Sequence, residues 1–318
     1  TDWHVHRVFH FDFNGVDFTM PGALHLKIEG YLYDWEKEFG ISSGVDTNLG
    51  SRFNRILQAA AEQTGRGAVV LVDEYDKPLL DVLEKDPELL EQNREILKAF
   101  YSVFKLADAS LRFVFLTGVT KFSQVRVFSG FNQPKDISMF DKYEALCGIT
   151  EEELHTQFAE PIREMAASEG CTEEEMRQRL KRHYDGYHFS KEMTDIYNPF
   201  SVLNAFDSQD IRDFWFASGT PTYLIRLMNH FHEGIDQLSG MYYSQDEFVN
   251  YKADTEYPLP MIYQSGYLTI KDYDKRRKTF LLDFPNNEVK NGFLTLVASN
   301  YLKIKENVSN LAQDLAFA

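Results

Sequence analysis

Apolar residues recur along this chain with two periods, and the switching between them lays out its elements. The opening "HVHRVFHFDFNG" intersperses Val5, Val8, Phe9, Phe11 and Phe13 with polar residues and halts at Asn14-Gly15, the pattern of a strand and its turn. Two runs at helical spacing follow, "PGALHLKIEGYLYDWEKEFGI" with a stop at Gly40 and "LGSRFNRILQAAAEQTG" with a stop at Gly65. Residues 68–73, "AVVLVD", and residues 112–116, "RFVFL", are almost wholly apolar and flank a third helical run, "QNREILKAFYSVFKLADAS". Apolar strands alternating with helices predict an α/β fold whose parallel sheet is covered on both faces.

From about residue 147 helices take over. "ITEEELHTQFAEPIREMAASEG" and "CTEEEMRQRLKRHYDGYHF" each open with Thr followed three residues later by Glu, at Thr150/Glu153 and Thr172/Glu175, the capping-box signature of a helix start. "IYNPFSVLNAF" predicts a turn through Asn198-Pro199 into a short helix, and "FWFASGTPTYLIRLM" puts Trp215 and its aromatic neighbours in core. The closing stretch reads as a helix ending at Gly266, two strands, "YLTIK" and "TFLLDF", joined by "DYDKRR", and a last helix, "NEVKNGFLTLVASNYLKIKEN". Helix, hairpin, helix is a winged-helix-like order. The expected domains are 1–146 for the α/β core, 147–252 for a helical region and 253–318 for the winged-helix-like region.

Charge narrows the partners. The 318 residues carry 33 Lys and Arg against 49 Asp and Glu, a formal charge of -16, which works against general adhesion to nucleic acid or an anionic membrane. A polyanion must therefore meet a local patch, and the hairpin tip offers one in Lys271, Lys275, Arg276, Arg277 and Lys278, diluted by Asp272 and Asp274. Two cysteines, Cys147 and Cys171, make no disulfide framework and are expected to be ordinary buried thiols in a reducing, cytoplasmic setting. No run approaches the roughly 18 apolar residues of a membrane span, and no signal-peptide pattern opens the chain. The first residue is Thr, so the chain is expected to begin partway through a longer protein.

Three acids, Asp73, Glu74 and Asp76, crowd the end of the 68–73 strand. Adjacent carboxylates repel and call for a positive partner, for which a divalent metal carrying a nucleotide is the leading choice. A run of apolar residues closing on Asp-Glu is how P-loop nucleotide hydrolases build their second phosphate-site motif, the Asp organising Mg²⁺ and the Glu polarising water. The plainer alternative is a strand end facing water, with Asp76 capping a helix that has Pro78 in its first turn. The 112–116 strand ends on Thr117, Thr120 and Lys121, and in parallel sheets ligands bind at these carboxyl ends. If the two strands are neighbours, Asp73 and Glu74 come within reach of Thr117 or Lys121. Three histidines, His4, His6 and His10, sit on the first strand; His4 and His6 lack an acidic or cysteine partner at ligand spacing, and all three are expected on its surface.

Taken together, "VVLVDEYDKPL", "FVFLTGVTKFS", "FSGFNQPKDIS", "LCGITEEEL", "YDGYHFS", "YNPFSVLNAF" and "YQSGYLTIK" resemble the AAA-ATPase-like family of prokaryotic P-loop proteins, which often carry a restriction-endonuclease-like nuclease domain. The resemblance implies a P-loop NTPase-like parallel sheet, truncated at its N-terminus. It casts Asp73 as the Mg²⁺-organising acid, Glu74 as the catalytic base and Thr117 as the polar sensor, with Lys121 and Asn198 as weaker cofactor-binding positions and ATP and Mg²⁺ as cofactors. The chain departs from the family in one respect: no Gly in the 318 residues is followed by Lys, so Gly-x-x-x-x-Gly-Lys-[Ser/Thr] is absent. The family's phosphate loop belongs upstream of the first strand, and a nuclease domain would follow residue 318. A chain without that loop is expected to bind nucleotide poorly. Loss of its strand should leave sheet donors unpaired, which predicts a homo-oligomer or a rearranged core.

Three functions follow. The first is an ATPase core using Asp73 and Glu74. The second is a non-hydrolytic interaction or regulatory module whose basic wing, Lys275 to Lys278, touches nucleic acid or a protein. The third is a metal-dependent nuclease site on Asp73, Glu74 and Asp76 with Lys77 or Lys121.

Overall fold

The computed structural model describes residues 4–42, 47–83, 85–121, 128, 134–217, 238–249 and 258–301, the last five of these and 216–217 through the main chain only. The chain divides into two compact units, residues 1–135 and 136–318.

The first unit is a mixed α/β body on a three-stranded parallel sheet. Its strands, β1 (Val8–Asp12), β2 (Ala68–Asp73) and β3 (Leu111–Leu116), lie in the order β1-β2-β3, in register so that Asp12 faces Asp73 and Val72 faces Leu116. Helices α1 (Ala23–Phe39) and α2 (Leu49–Thr64) join β1 to β2 and stop where the sequence places their glycines, Gly40 and Gly65, both left-handed at φ 65°. Helix α4 (Pro87–Tyr101) starts earlier than its apolar period suggests, because Asp86 caps it, accepting from Glu88 N and Leu89 N, and Pro87 supplies the first turn.

Phe9 and Phe11 on β1 are fully buried against Tyr31 and Trp35 of α1, Phe53 of α2 and Phe100 of α4. Inside this aromatic core, Arg52 forks onto Glu36 at 2.8 and 2.9 Å, pinning α2 to α1 with a bidentate pair that is itself buried.

The expectation of a sheet covered on both faces is corrected. The opposite face carries Val8, 47% exposed, and Phe113, 53% exposed, with Val69 and Leu71 half-buried. The physical reason is topological: crossovers of one hand that always advance toward the next strand put all their helices on one face. The outer edge of β3 is also unpaired among the described residues.

In the second unit both predicted capping boxes are present, at the starts of the helices Glu151–Gln157 and Glu173–Tyr184. The helices pack around Leu154, Ile162, Met165, Met176, Leu180, Tyr184 and Val202. A two-stranded ribbon pairs β4 (Ile149–Thr150) with β5 (Ile196–Tyr197). The hairpin forms as read, β7 (Thr269–Asp274) against β8 (Thr279–Asp283), between the helices Leu259–Gln264 and Asn287–Tyr301. A third strand, β6 (Met241–Ser244), pairs with the other side of β8, and its short, aromatic-rich sequence carries no period that announces it. Trp215 is half-buried on Tyr267, with 5.0 Å between ring centroids. The rest of that stretch from residue 218, and the end of the closing helix past residue 301, lie outside the described residues. Cys147 is exposed rather than buried, because it sits in a turn before β4.

Candidate active site

Parallel pairing of β2 and β3 brings their polar ends together. Thr117 donates its hydroxyl to Asp73 Oδ1 at 2.5 Å, and its main-chain N–H to Val72 O at 2.9 Å extends the ladder by one residue. Asp73 Oδ1 also accepts the Glu74 N–H at 3.1 Å, so one oxygen of the acid is anchored twice while Oδ2 has no hydrogen bond among the described residues. Glu74 turns the chain off the strand in the left-handed region, φ 51°, a conformation that costs a non-glycine residue about 1–3 kcal/mol and concentrates at functional sites. Its carboxylate is half-buried and makes no hydrogen bond among the described residues. Asp12, at the end of β1 and facing Asp73, belongs to the same rim and was missed from the sequence, although "FHFDFNG" ends on an acid just as "AVVLVD" does.

The third acid does something else. Asp76 is fully buried, and its two oxygens accept from Val119 N at 3.2 Å, Thr120 N at 2.6 Å and Thr120 Oγ1 at 2.8 Å. Burial lifts its carboxyl to about 6, against those same hydrogen bonds, which favour the charged form. It precedes the short helix α3 (Lys77–Leu80) without capping it through its side chain, because both oxygens face the loop after β3. Tyr75 hydroxyl donates to Thr120 O at 2.7 Å, so neighbouring side chains clamp one loop from two directions. Gly118 is where that loop passes closest: a Cβ there would lie 2.5 Å from Asp76 Oδ1 and 2.7 Å from the Tyr75 ring. Asp76 is thereby withdrawn from any metal cage with Asp73 and Glu74, which removes the three-acid nuclease arrangement. Lys77, its other offered member, pairs with Asp81 at 3.2 Å.

Lys121 stands half-buried at the end of the clamped loop. Asn198 lies in the second unit and caps the helix Pro199–Ser208, its Oδ1 accepting from Phe200 N and Ser201 N. The hairpin tip exposes Lys275, Arg276, Arg277 and Lys278 in succession, while Asp274 caps the turn by accepting from Arg276 N and Arg277 N. Lys271 is corrected out of that patch. It points inward from β7 and donates to Gly186 O and Pro285 O, both at 2.8 Å, and burial holds its pKa below the usual lysine value.

Residues 1–128 match the family described as predicted AAA-ATPase. Over these residues the chain is similar to that family. The match contains all of β1, β2 and β3, hence Asp73, Glu74, Thr117 and Lys121. An uncharacterized protein in the vnfD 5' region of Azotobacter chroococcum mcd 1 is 35% identical over 307 residues, 95% of this chain and 56% of that protein. The chain thus spans little more than half the length of this relative. No solved structure matches. No helix of the described residues is long and apolar enough to cross a membrane.

Proposed function

We propose that the rim of the parallel sheet is the acid-and-sensor half of an ATP-hydrolysing site, working in a longer protein that supplies the phosphate loop. The observation that carries this is the 2.5 Å hydrogen bond from Thr117 to Asp73 across the β2–β3 pair, beside a Glu74 carboxylate left unbonded among the described residues. The donor set fits the ion the family implies: Asp73 presents Oδ2 while Oδ1 is held. Bound Mg²⁺ would neutralise charge on the phosphate oxygens. Asp73 holds its free oxygen toward the nucleotide, and Thr117 fixes its rotamer. Glu74 accepts the proton of the attacking water, its carboxylate not tied up by a neighbour. The clamp of Asp76 and Tyr75 keeps Thr117 in place, and Lys121 closes the rim. The open edge of β3 is where a further strand pairs, supplied by an upstream segment or by a second copy.

Calorimetry of ATP with Mg²⁺ on the 318-residue chain and on a chain extended upstream tests this. Binding by the extended form alone supports it, and there Glu74→Gln should abolish turnover while sparing binding. Unchanged turnover in that variant removes Glu74 as the base. Binding by neither form favours the second function, a non-hydrolytic module whose tip, Lys275 to Lys278, contacts nucleic acid or a protein, a role suggested by four exposed cations in a chain of charge -16.

A further inference from the structure

The second unit holds a separate charged centre that the ATPase reading leaves unused. Lys181, in the last turn of the helix Glu173–Tyr184, sits among three carboxylates: its Nζ contacts Glu151 Oε2 and lies 3.1 Å from Asp195 Oδ2 and 3.4 Å from Asp185 Oδ2. One oxygen from each acid falls within 4.8 Å of the others. The acids come from three places, the first turn of a helix, the turn after a second helix and the loop before β5, and are brought together only by the fold.

An ionic knot around one lysine is the plain explanation, and two observations go beyond it. Asp185 is 2% exposed, yet its carboxylate oxygens make no hydrogen bond and meet only the ammonium of Lys181, at 3.4 Å. Buried carboxylates that merely tie a fold together are hydrogen-bonded, because leaving them bare is costly. Its main chain is fixed, with Asn286 Nδ2 donating to Asp185 O at 2.9 Å, so the carboxylate is held in position. Second, Asp185 and Asp195 line a cavity of about 580 Å³ together with Lys181, Asn286 and Lys290, which gives an entry path and room for water. Asp195 is oriented from behind by His188, whose Nε2 lies 2.7 Å from Asp195 Oδ1 while Nδ1 lies 2.6 Å from Ile270 O. A ligand held by a second side chain in this manner is the usual support of a metal carboxylate.

We propose that Glu151, Asp185 and Asp195 form a site for a hydrated divalent cation of the Mg²⁺ and Mn²⁺ class, with Lys181 as the competing counter-ion that swings out when the metal enters. All donors are carboxylate oxygens, which select hard cations over zinc or copper, and three protein ligands leave the remaining positions to water from the cavity.

The test is Mn²⁺ binding to the whole 318-residue chain, with free Mn²⁺ followed by electron paramagnetic resonance, in wild type, Glu151→Gln, Asp185→Asn and Lys181→Met. We expect one saturable Mn²⁺ that binds about tenfold or more weakly in Glu151→Gln and Asp185→Asn, and more tightly in Lys181→Met, where the competitor is gone. Glu151 is 40% exposed, so its variant keeps the test alive if Asp185→Asn does not fold. Affinity unchanged in Glu151→Gln, or no saturable binding in Lys181→Met, would overturn the proposal.

Discussion

The Asp76 carboxylate accepts both the main-chain N–H and the hydroxyl of Thr120, at 2.6 and 2.8 Å. These bonds bind the end of β2 to the loop after β3 and fix the separation of Asp73 and Thr117. They also place a charge in the interior, which makes the link sensitive to pH. The folded-state value, about 6, lies above the ordinary 3.8, so between those limits the native state binds more protons than the unfolded chain. Stability therefore falls as pH rises from about 4 to about 6, by about 3 kcal/mol from this group. Asp185, also raised to about 6, acts with the same sign. Urea denaturation across this range should show the decline in wild type and a shallower one in Asp76→Asn; equal slopes would mean that Asp76 does not titrate there.

Gly118 gives a second handle on the same clamp. Alanine would force its Cβ against Asp76 Oδ1 and the Tyr75 ring, and these cannot retreat without breaking bonds to Thr120. Gly118→Ala should destabilise the chain by about 1–3 kcal/mol, the cost of overpacking a tight site. In a nucleotide-competent longer chain it should lower turnover more than binding, because Thr117 moves. Wild-type melting and turnover would show that the loop has slack.

The buried pair of Arg52 and Glu36 carries the helical side of the first unit. Glu36→Ala leaves a buried guanidinium with only Glu29, at 3.3 Å, in place of its two short bonds and should cost about 3 kcal/mol in denaturant unfolding. Replacing both members together, Arg52→Met with Glu36→Leu, should recover most of that loss. A double variant as unstable as the single one would locate the cost in packing rather than in the under-compensated charge.

Much of this fold was legible because its signals are local. Gly40 and Gly65 stop α1 and α2, Thr150 and Thr172 open their helices, and apolar runs mark β2 and β3. That Thr117 and Asp73 meet followed once those strands were taken as neighbours. Long-range pairings carry no such mark. Asp76 reads as a helix cap from its place before Pro78, and only the approach of residues 119 and 120 turns it inward. Lys271 sits in a run of basic residues and is drawn out of it by carbonyls of Gly186 and Pro285, 85 and 14 residues away. The convergence of Glu151, Asp185 and Asp195 has no spacing that would reveal it.

The open edge of β3 predicts self-association. Phe113, 53% exposed, lies on this strand, whose outer edge is unpaired among the described residues, the kind of edge that proteins ordinarily cover or charge. Light scattering on the 318-residue chain should show dimers or larger species, and Phe113→Lys should shift them to monomer without altering the melting temperature by more than a few degrees. A wild-type monomer at all concentrations would argue that some other segment covers the edge.

The basic hairpin tip makes the last prediction, and salt separates its two explanations. Charges that only keep the turn solvated yield no binding to a polyanion. Charges that contact phosphates release counterions, and affinity for duplex DNA then falls linearly on logarithmic axes, with a slope of about -0.9 per phosphate contacted. Lys275, Arg276, Arg277 and Lys278 are all exposed, and among the described residues only Arg277 approaches an acid, Asp274 at 3.9 Å. Arg276→Ala with Arg277→Ala should therefore weaken DNA binding uniformly across sequences and reduce the salt slope by about 2. Lys271→Met should leave the slope alone and lower stability instead, because it strips two carbonyls of their donor. If the tip variant binds as wild type does, the four cations serve solubility and the partner of this unit lies elsewhere.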